Sequence, residues 1–191
     1  MKNTINCILS ACAVAFTVWF MHFGEITTIE GALSKSGIIH PVYFAIWGVL
    51  TFSALYCNIF SLYRKDLSKN VLKRFTVPLS AVASVGMAIT LTCRFDKIYG
   101  FEYYLHCAGS LAFSIITSVV VFTYYLLNFK KHIFYGASTI IIGVLLITDL
   151  IFLIIYKQNA LIEAIPILFA LIIMPVTLLF IKDKNYASQK A

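Results

Sequence analysis

Charge is scarce in this chain: Asp, Glu, Lys and Arg together make up 12% of its 191 residues. A soluble domain carries about 25%, so an ordinary water-soluble globule is excluded. Proline is limited to 4 residues and glycine to 9. No Pro/Gly/Ser-rich linker or low-complexity tract divides the sequence, so it reads as one domain. No internal repeat is evident, which argues against a transporter built from inverted repeats. HxxxH, HExxH and CxxC spacings are all missing, and with them the local signatures of a zinc site. A GxSxG elbow is missing too, so Ser110 beside His106 reads as packing rather than as a hydrolase nucleophile. No pair of mid-span histidines could hold a haem. Neither a metal nor another cofactor is expected.

What the chain has in abundance is apolar sequence, at 61% of residues. A membrane-spanning helix needs roughly 20 largely apolar residues. Six runs meet that need: 5–23, 41–62, 75–93, 103–127, 133–156 and 160–181. They are continuous rather than alternating, which excludes a transmembrane barrel. Backbone groups in lipid must be satisfied within their own segment, which leaves helices. The expected fold is all-α: a polytopic six-transmembrane-helix up-down bundle joined by short loops. The first run continues beyond Cys12 to Phe23 and so reads as a signal anchor rather than a cleaved leader.

Basic residues fall almost wholly on alternate loops. Lys2, Arg64, Lys65, Lys69, Lys73, Arg74, Lys130, Lys131, Lys182, Lys184 and Lys190 share one side; Lys35, Arg94, Lys97 and Lys157 share the other. The positive-inside rule then places both termini in the cytoplasm. Topology explains most of the net charge of +7, so nucleic acid is not an expected partner. The basic loop 64–74 is suited to anionic lipid heads, at roughly 1 kcal/mol per well-placed cation. Cys7, Cys12 and Cys57 are expected to be buried thiols. Cys93 and Cys107 lie near the outer ends of adjacent spans, where a bridge depends on their Cα spacing.

With that orientation, His22, Glu25, Glu30, His40, Arg94, Asp96, Glu102, His106 and Glu163 map to the outer ends of helices or the outer loops. Asp149 lies about two turns inside the fifth span. The opposite side holds only His132, Asp66 and Asp183 among basic residues. This asymmetry points to an outer-half site. An ionisable residue within a spanning helix costs a few kcal/mol and normally faces the bundle with a partner. Asp149 is therefore expected to face inward and to meet a polar group, with His106 and Arg94 at compatible depths. His106, Ser110, Ser114 and Ser118 recur every fourth residue on one face, and Ser80, Ser84 and Ala88 do the same on the third span. Gly109 and Ala112 widen the first stripe with further small groups, and the two stripes are expected to pack together. Pro78, Pro166 and Pro175 fall inside spans, which makes the sixth the most prone to bend. The candidate site residues are His40, Arg94, Asp96, Glu102, His106, Ser110, Asp149 and Glu163.

Two segments carry a family resemblance. Leu33-Ser34-Lys35-Ser36-Gly37 is followed by Pro41 and Phe44; Arg94-Phe95 is followed by His106-Cys107-Ala108-Gly109-Ser110 and Phe113. Together they resemble the luminal signatures of the Frag1/DRAM/Sfk1 family, with Lys35 where the family usually has an acid and Arg94 where it often has Asn. Distantly similar bacterial six-helix proteins offer another home for the pattern. The resemblance implies a membrane protein concerned with lipid handling or membrane stress, and it brings no defined catalytic mechanism.

The expected function is non-enzymatic binding or sensing of lipid through the outer half, with Ser34–Pro41 and the start of the fourth span shaping the site and His106 and Asp149 as its polar anchors. One alternative is an outer-leaflet lipid-modifying enzyme, with His106 as acid/base and Asp149 or Asp96 orienting it. Another is a small proton-coupled transporter using Asp149. Expected partners are membrane lipids, with a homo-oligomer or a partner membrane protein left open. The expected location is the cytoplasmic membrane in a bacterium, or an endomembrane or plasma membrane in a eukaryote.

Overall fold

The computed structural model describes residues 2–66, 71–93, 100–156 and 158–181, and among them the chain is helical with no strand. The long helices are α1 (Lys2–Met21), α3 (Pro41–Asp66), α4 (Val77–Thr92), α5 (Phe101–Leu127), α6 (Ile133–Tyr156) and α7 (Ala160–Phe180). These elements provide six helices long and apolar enough to cross a membrane. Between α1 and α3 the chain adds a 3-10 turn (Ile29–Gly31) and a short helix, α2 (Leu33–Ile39).

Local chemistry explains several boundaries. Pro41 opens α3, where its missing N–H costs nothing and its fixed φ suits the first turn. Pro78 sits in the first turn of α4 rather than inside it, just after a π-helical turn over Leu72–Thr76. Asn159 caps α7 by accepting from the Ile162 N–H at 3.0 Å, satisfying one orphan donor. Helix α7 runs continuously through Pro166 and Pro175.

Helix α3 is central and packs on α1, α4, α5 and α7, whereas α6 packs on α5 and α7 at the edge. In the most apolar window of α6 only 17% is buried, against 50% in α3. Ile140, Val144, Ile147, Ile151 and Ile154 are all exposed on α6. An apolar surface of this extent is foreign to a water-soluble monomer and is compatible with an integral membrane protein.

The most extensive helix contact is between α4 and α5, the pair expected to pack, and its closest approach falls on Gly109 and Ala112 of the predicted stripe rather than on its serines. Ser80 and Ser84 donate to the carbonyls of Thr76 and Ser80 on their own helix, at 2.6 and 2.7 Å. Ser114 and Ala88 are exposed. The close approach is at glycine: a methyl group on Gly86 would lie 2.8 Å from the Gly109 carbonyl oxygen, and one on Gly109 would lie 2.7 Å from that of Gly86. Small residues allow such backbone contact; hydroxyls committed to their own helix add nothing across it.

A second correction concerns the thiols. Cys12 and Cys57 are exposed and Cys7 is half-buried, while Cys93 and Cys107 remain free.

Neutral polar groups knit the end of the bundle away from α2. The Tyr63 hydroxyl donates to the Val120 carbonyl at 2.7 Å, and Asn58 donates to Ser10 at 2.8 Å. Thr177 donates to the Ile173 carbonyl at 2.7 Å, so Tyr125, 2.8 Å from the Thr177 hydroxyl, is the donor of that pair. Hydrogen bonds of this kind join helices without introducing charge.

Candidate functional site

At the α2 end, two cavities collect most of the described candidate residues. The first is a small chamber of about 60 Å³, bordered by Ser34, Trp47, Thr90, His106, Ser110 and Glu163 among others. Glu163 comes from the first turn of α7. One of its carboxylate oxygens accepts from the Ser34 backbone N–H at 3.3 Å, the other from the Ser34 hydroxyl at 3.1 Å. Gln158 donates to the same carboxylate and, at 3.1 Å, to the Ser34 hydroxyl. All these neighbours act as donors, which is what an acceptor-rich carboxylate requires when it leaves water.

His106, buried on α5, also borders the chamber, with Nδ1 3.1 Å from the Cys93 carbonyl oxygen. Its ring is inclined 29° to that of Phe44, with centroids 6.1 Å apart. Phe44 in turn stacks on Trp47, whose indole N–H donates to the Thr17 hydroxyl at 3.0 Å. The histidine is thus held by aromatic packing on one face and a backbone carbonyl at its edge. Chamber volume leaves room for a few waters and excludes a lipid headgroup.

The second cavity is a groove of about 580 Å³ between α6 and the start of α7. Ile140, Ile141, Val144, Leu145, Thr148, Asp149, Phe152 and Tyr156 form its α6 wall. These positions repeat at three- and four-residue intervals, so they share one face. Leu161, Ile162 and Ile165 form the α7 wall, with Thr27 and Asn159 at the end near α2. The volume falls in the range of small-molecule sites, roughly 300–1,000 Å³, and apolar walls with a few polar groups are typical of them.

Asp149 lies in this groove, half-buried, and makes no hydrogen bond or ion pair among the described residues. Asp149 thus faces the α6–α7 groove rather than His106 and meets no polar partner among the described residues; Arg94, the other partner expected for it, lies outside them. His106 and Asp149 line different cavities, although α5 and α6 are neighbours. A short connection makes two helices adjacent, but it does not determine which faces meet.

The remaining candidates separate. His40 closes α2, and its ring packs edge-on against Phe23 at 4.8 Å, within an aromatic cluster that includes Tyr43. Glu102 is exposed in the first turn of α5 and borders neither cavity. Ser110 borders the chamber. Arg94 and Asp96 lie outside the described residues. Among the described residues no three His, Cys, Asp or Glu side chains converge as a metal site would need. Gln158, Trp47 and Thr90 are site residues that sequence reasoning missed; a neutral polar or aromatic side chain at a helix end carries no local signal of its role.

Compared with protein-family models, curated proteins and solved structures, the chain matches none. The six long apolar helices are compatible with an integral membrane protein, and its further assignment rests on the site.

Proposed function

We propose that this protein spans a membrane six times, with both termini in the cytoplasm, and binds a lipid-like amphiphile through its outer half. The observation that carries this reading is the α6–α7 groove: about 580 Å³, mostly apolar, with Asp149 as its one acidic side chain among the described lining residues. The basic loops support the orientation through the positive-inside rule. In that orientation α2, Thr27 and Asn159 lie at the outer surface, and the groove descends from there. The resemblance of Ser34–Phe44 and His106–Phe113 to Frag1/DRAM/Sfk1 signatures agrees with lipid handling, as does a non-enzymatic role.

The enzyme alternative names Asp149 or Asp96 as the orienter of His106, and Asp96 lies outside the described residues. An acid/base histidine needs an orienting group and a reacting bond within hydrogen-bond reach, whereas Asp149 borders a cavity that His106 does not.

The test is photo-crosslinking in reconstituted vesicles, using a phospholipid that bears a diazirine on its acyl chain, followed by peptide mapping. The expected result is label concentrated on Ile140–Ile165 and reduced by Val144→Trp, which fills the groove. Label spread evenly over all lipid-facing helices and unchanged by Val144→Trp would overturn the reading.

A further inference from the structure

We infer that the α6–α7 groove selects an amphiphilic amine, a single apolar chain ending in an ammonium group, with Asp149 as its counter-ion. The inference rests on the lipid-binding reading and narrows it to a ligand class.

Three observations converge on an ammonium. Asp149 is the one charged side chain among the described residues lining the groove, and no described Lys, Arg or His joins it there. Among its described lining residues the groove thus offers a carboxylate and no cation to meet a phosphate or a fatty-acid headgroup, which that carboxylate would repel. Asp149 also makes no hydrogen bond or ion pair among the described residues. A carboxylate at membrane depth is costly when alone and normally pairs, so a bound cation would complete the site. Finally, Phe152 and Tyr156 follow Asp149 at i+3 and i+7 along the same wall, with ring centroids 5.5 Å apart. Aromatic rings beside a carboxylate are the surroundings in which ammonium groups are held, the ring faces adding cation–π attraction.

Groove shape sets the rest of the ligand. Asp149 stands seven residues from Tyr156, about 10 Å along the helix, and Ile140 lies about 13 Å further down. Below Asp149 the described walls are Ile140, Ile141, Val144 and Leu145, so the apolar chain extends inward from the amine. A second copy of this chain fits less well. At the α2 end its described residues offer one lysine, Lys35, on the short helix α2, and the face of α6 would bring a second Asp149 toward the first.

The experiment uses the full-length protein in dodecyl maltoside, titrated with dodecylamine, dodecanol or dodecanoate below their own micelle concentrations. Calorimetry and melting temperature supply the readouts. Dodecylamine should bind saturably and raise the melting temperature. Asp149→Asn should weaken it roughly tenfold or more, the scale of one lost charge-assisted hydrogen bond, while Asp149→Glu retains binding. Tyr156→Leu should weaken the amine and leave dodecanol unchanged. Equal saturable binding of amine and alcohol, blocked by Val144→Trp but indifferent to Asp149→Asn, would overturn the amine inference and leave the lipid-binding reading standing. No saturable binding of any probe, together with lipid labelling indifferent to Val144→Trp, would overturn both.

Discussion

Ser34 and Glu163, 129 positions apart, are joined by two hydrogen bonds, the Ser34 N–H and hydroxyl each meeting a different carboxylate oxygen. This pair docks α2 onto the start of α7, and both residues border the small chamber. It also satisfies a backbone donor in the first turn of α2, which has no partner within so short a helix.

Substitution on either side of that pair should loosen the α2 end. Ser34→Ala should cost about 1.5–3 kcal/mol, the worth of a hydrogen bond to a charged group. Glu163→Gln should cost at least as much, because its NH₂ would face donors on Ser34 and Gln158. Thermal unfolding in detergent reads both, and unchanged melting temperatures would show that the pair does not hold α2.

The Gly86–Gly109 approach predicts an asymmetry between neighbouring positions. Gly109→Val should destabilise by about 1–3 kcal/mol through overpacking against the α4 backbone. Ala88→Leu, on an exposed position of α4, should stay within about 0.5 kcal/mol. Equal sensitivity at the two sites would move the helix contact to the serine stripes.

Tyr63 makes a sharper test of the opposite end. Tyr63→Phe keeps the ring and removes the hydroxyl that reaches the Val120 carbonyl. Loss of about 1 kcal/mol is expected, read as a lower denaturation midpoint in a mild-to-harsh detergent series. A neutral result would mean that the α3–α5 tie is made by ring packing alone.

Orientation has its own test. In a background without native cysteines, Thr28→Cys should react with a membrane-impermeant maleimide on intact cells, and Lys131→Cys only after permeabilisation. The reverse pattern would invert the topology and move both cavities to the cytoplasmic side.

Much of the architecture was legible in the residues. The span predicted at 133–156 coincides with α6, and the other five agree to within a few residues at most boundaries. A long apolar run allows only a helix when it must satisfy its backbone internally. Glu163, His106 and Ser110 were legible as candidates because acids and histidines are rare in such sequence. Ser34–Pro41 was legible as shaping the site together with the start of the fourth span; the part played by Gln158 was not, and neither was helix α2, which is docked by Ser34–Glu163 contacts that are distant in sequence.

Composition and charge by themselves determined the all-helical class, the number and length of the long apolar helices, and the expected sidedness, because hydropathy and loop charge act locally along the chain. Tertiary structure alone decided which faces meet. It turned Asp149 away from His106 into the groove, brought Glu163 against Ser34, and narrowed the α4–α5 contact from the small-residue stripes to the approach of Gly86 and Gly109. Depth along a helix follows from counting residues, but rotation about its axis is set by the packing of every neighbour at once.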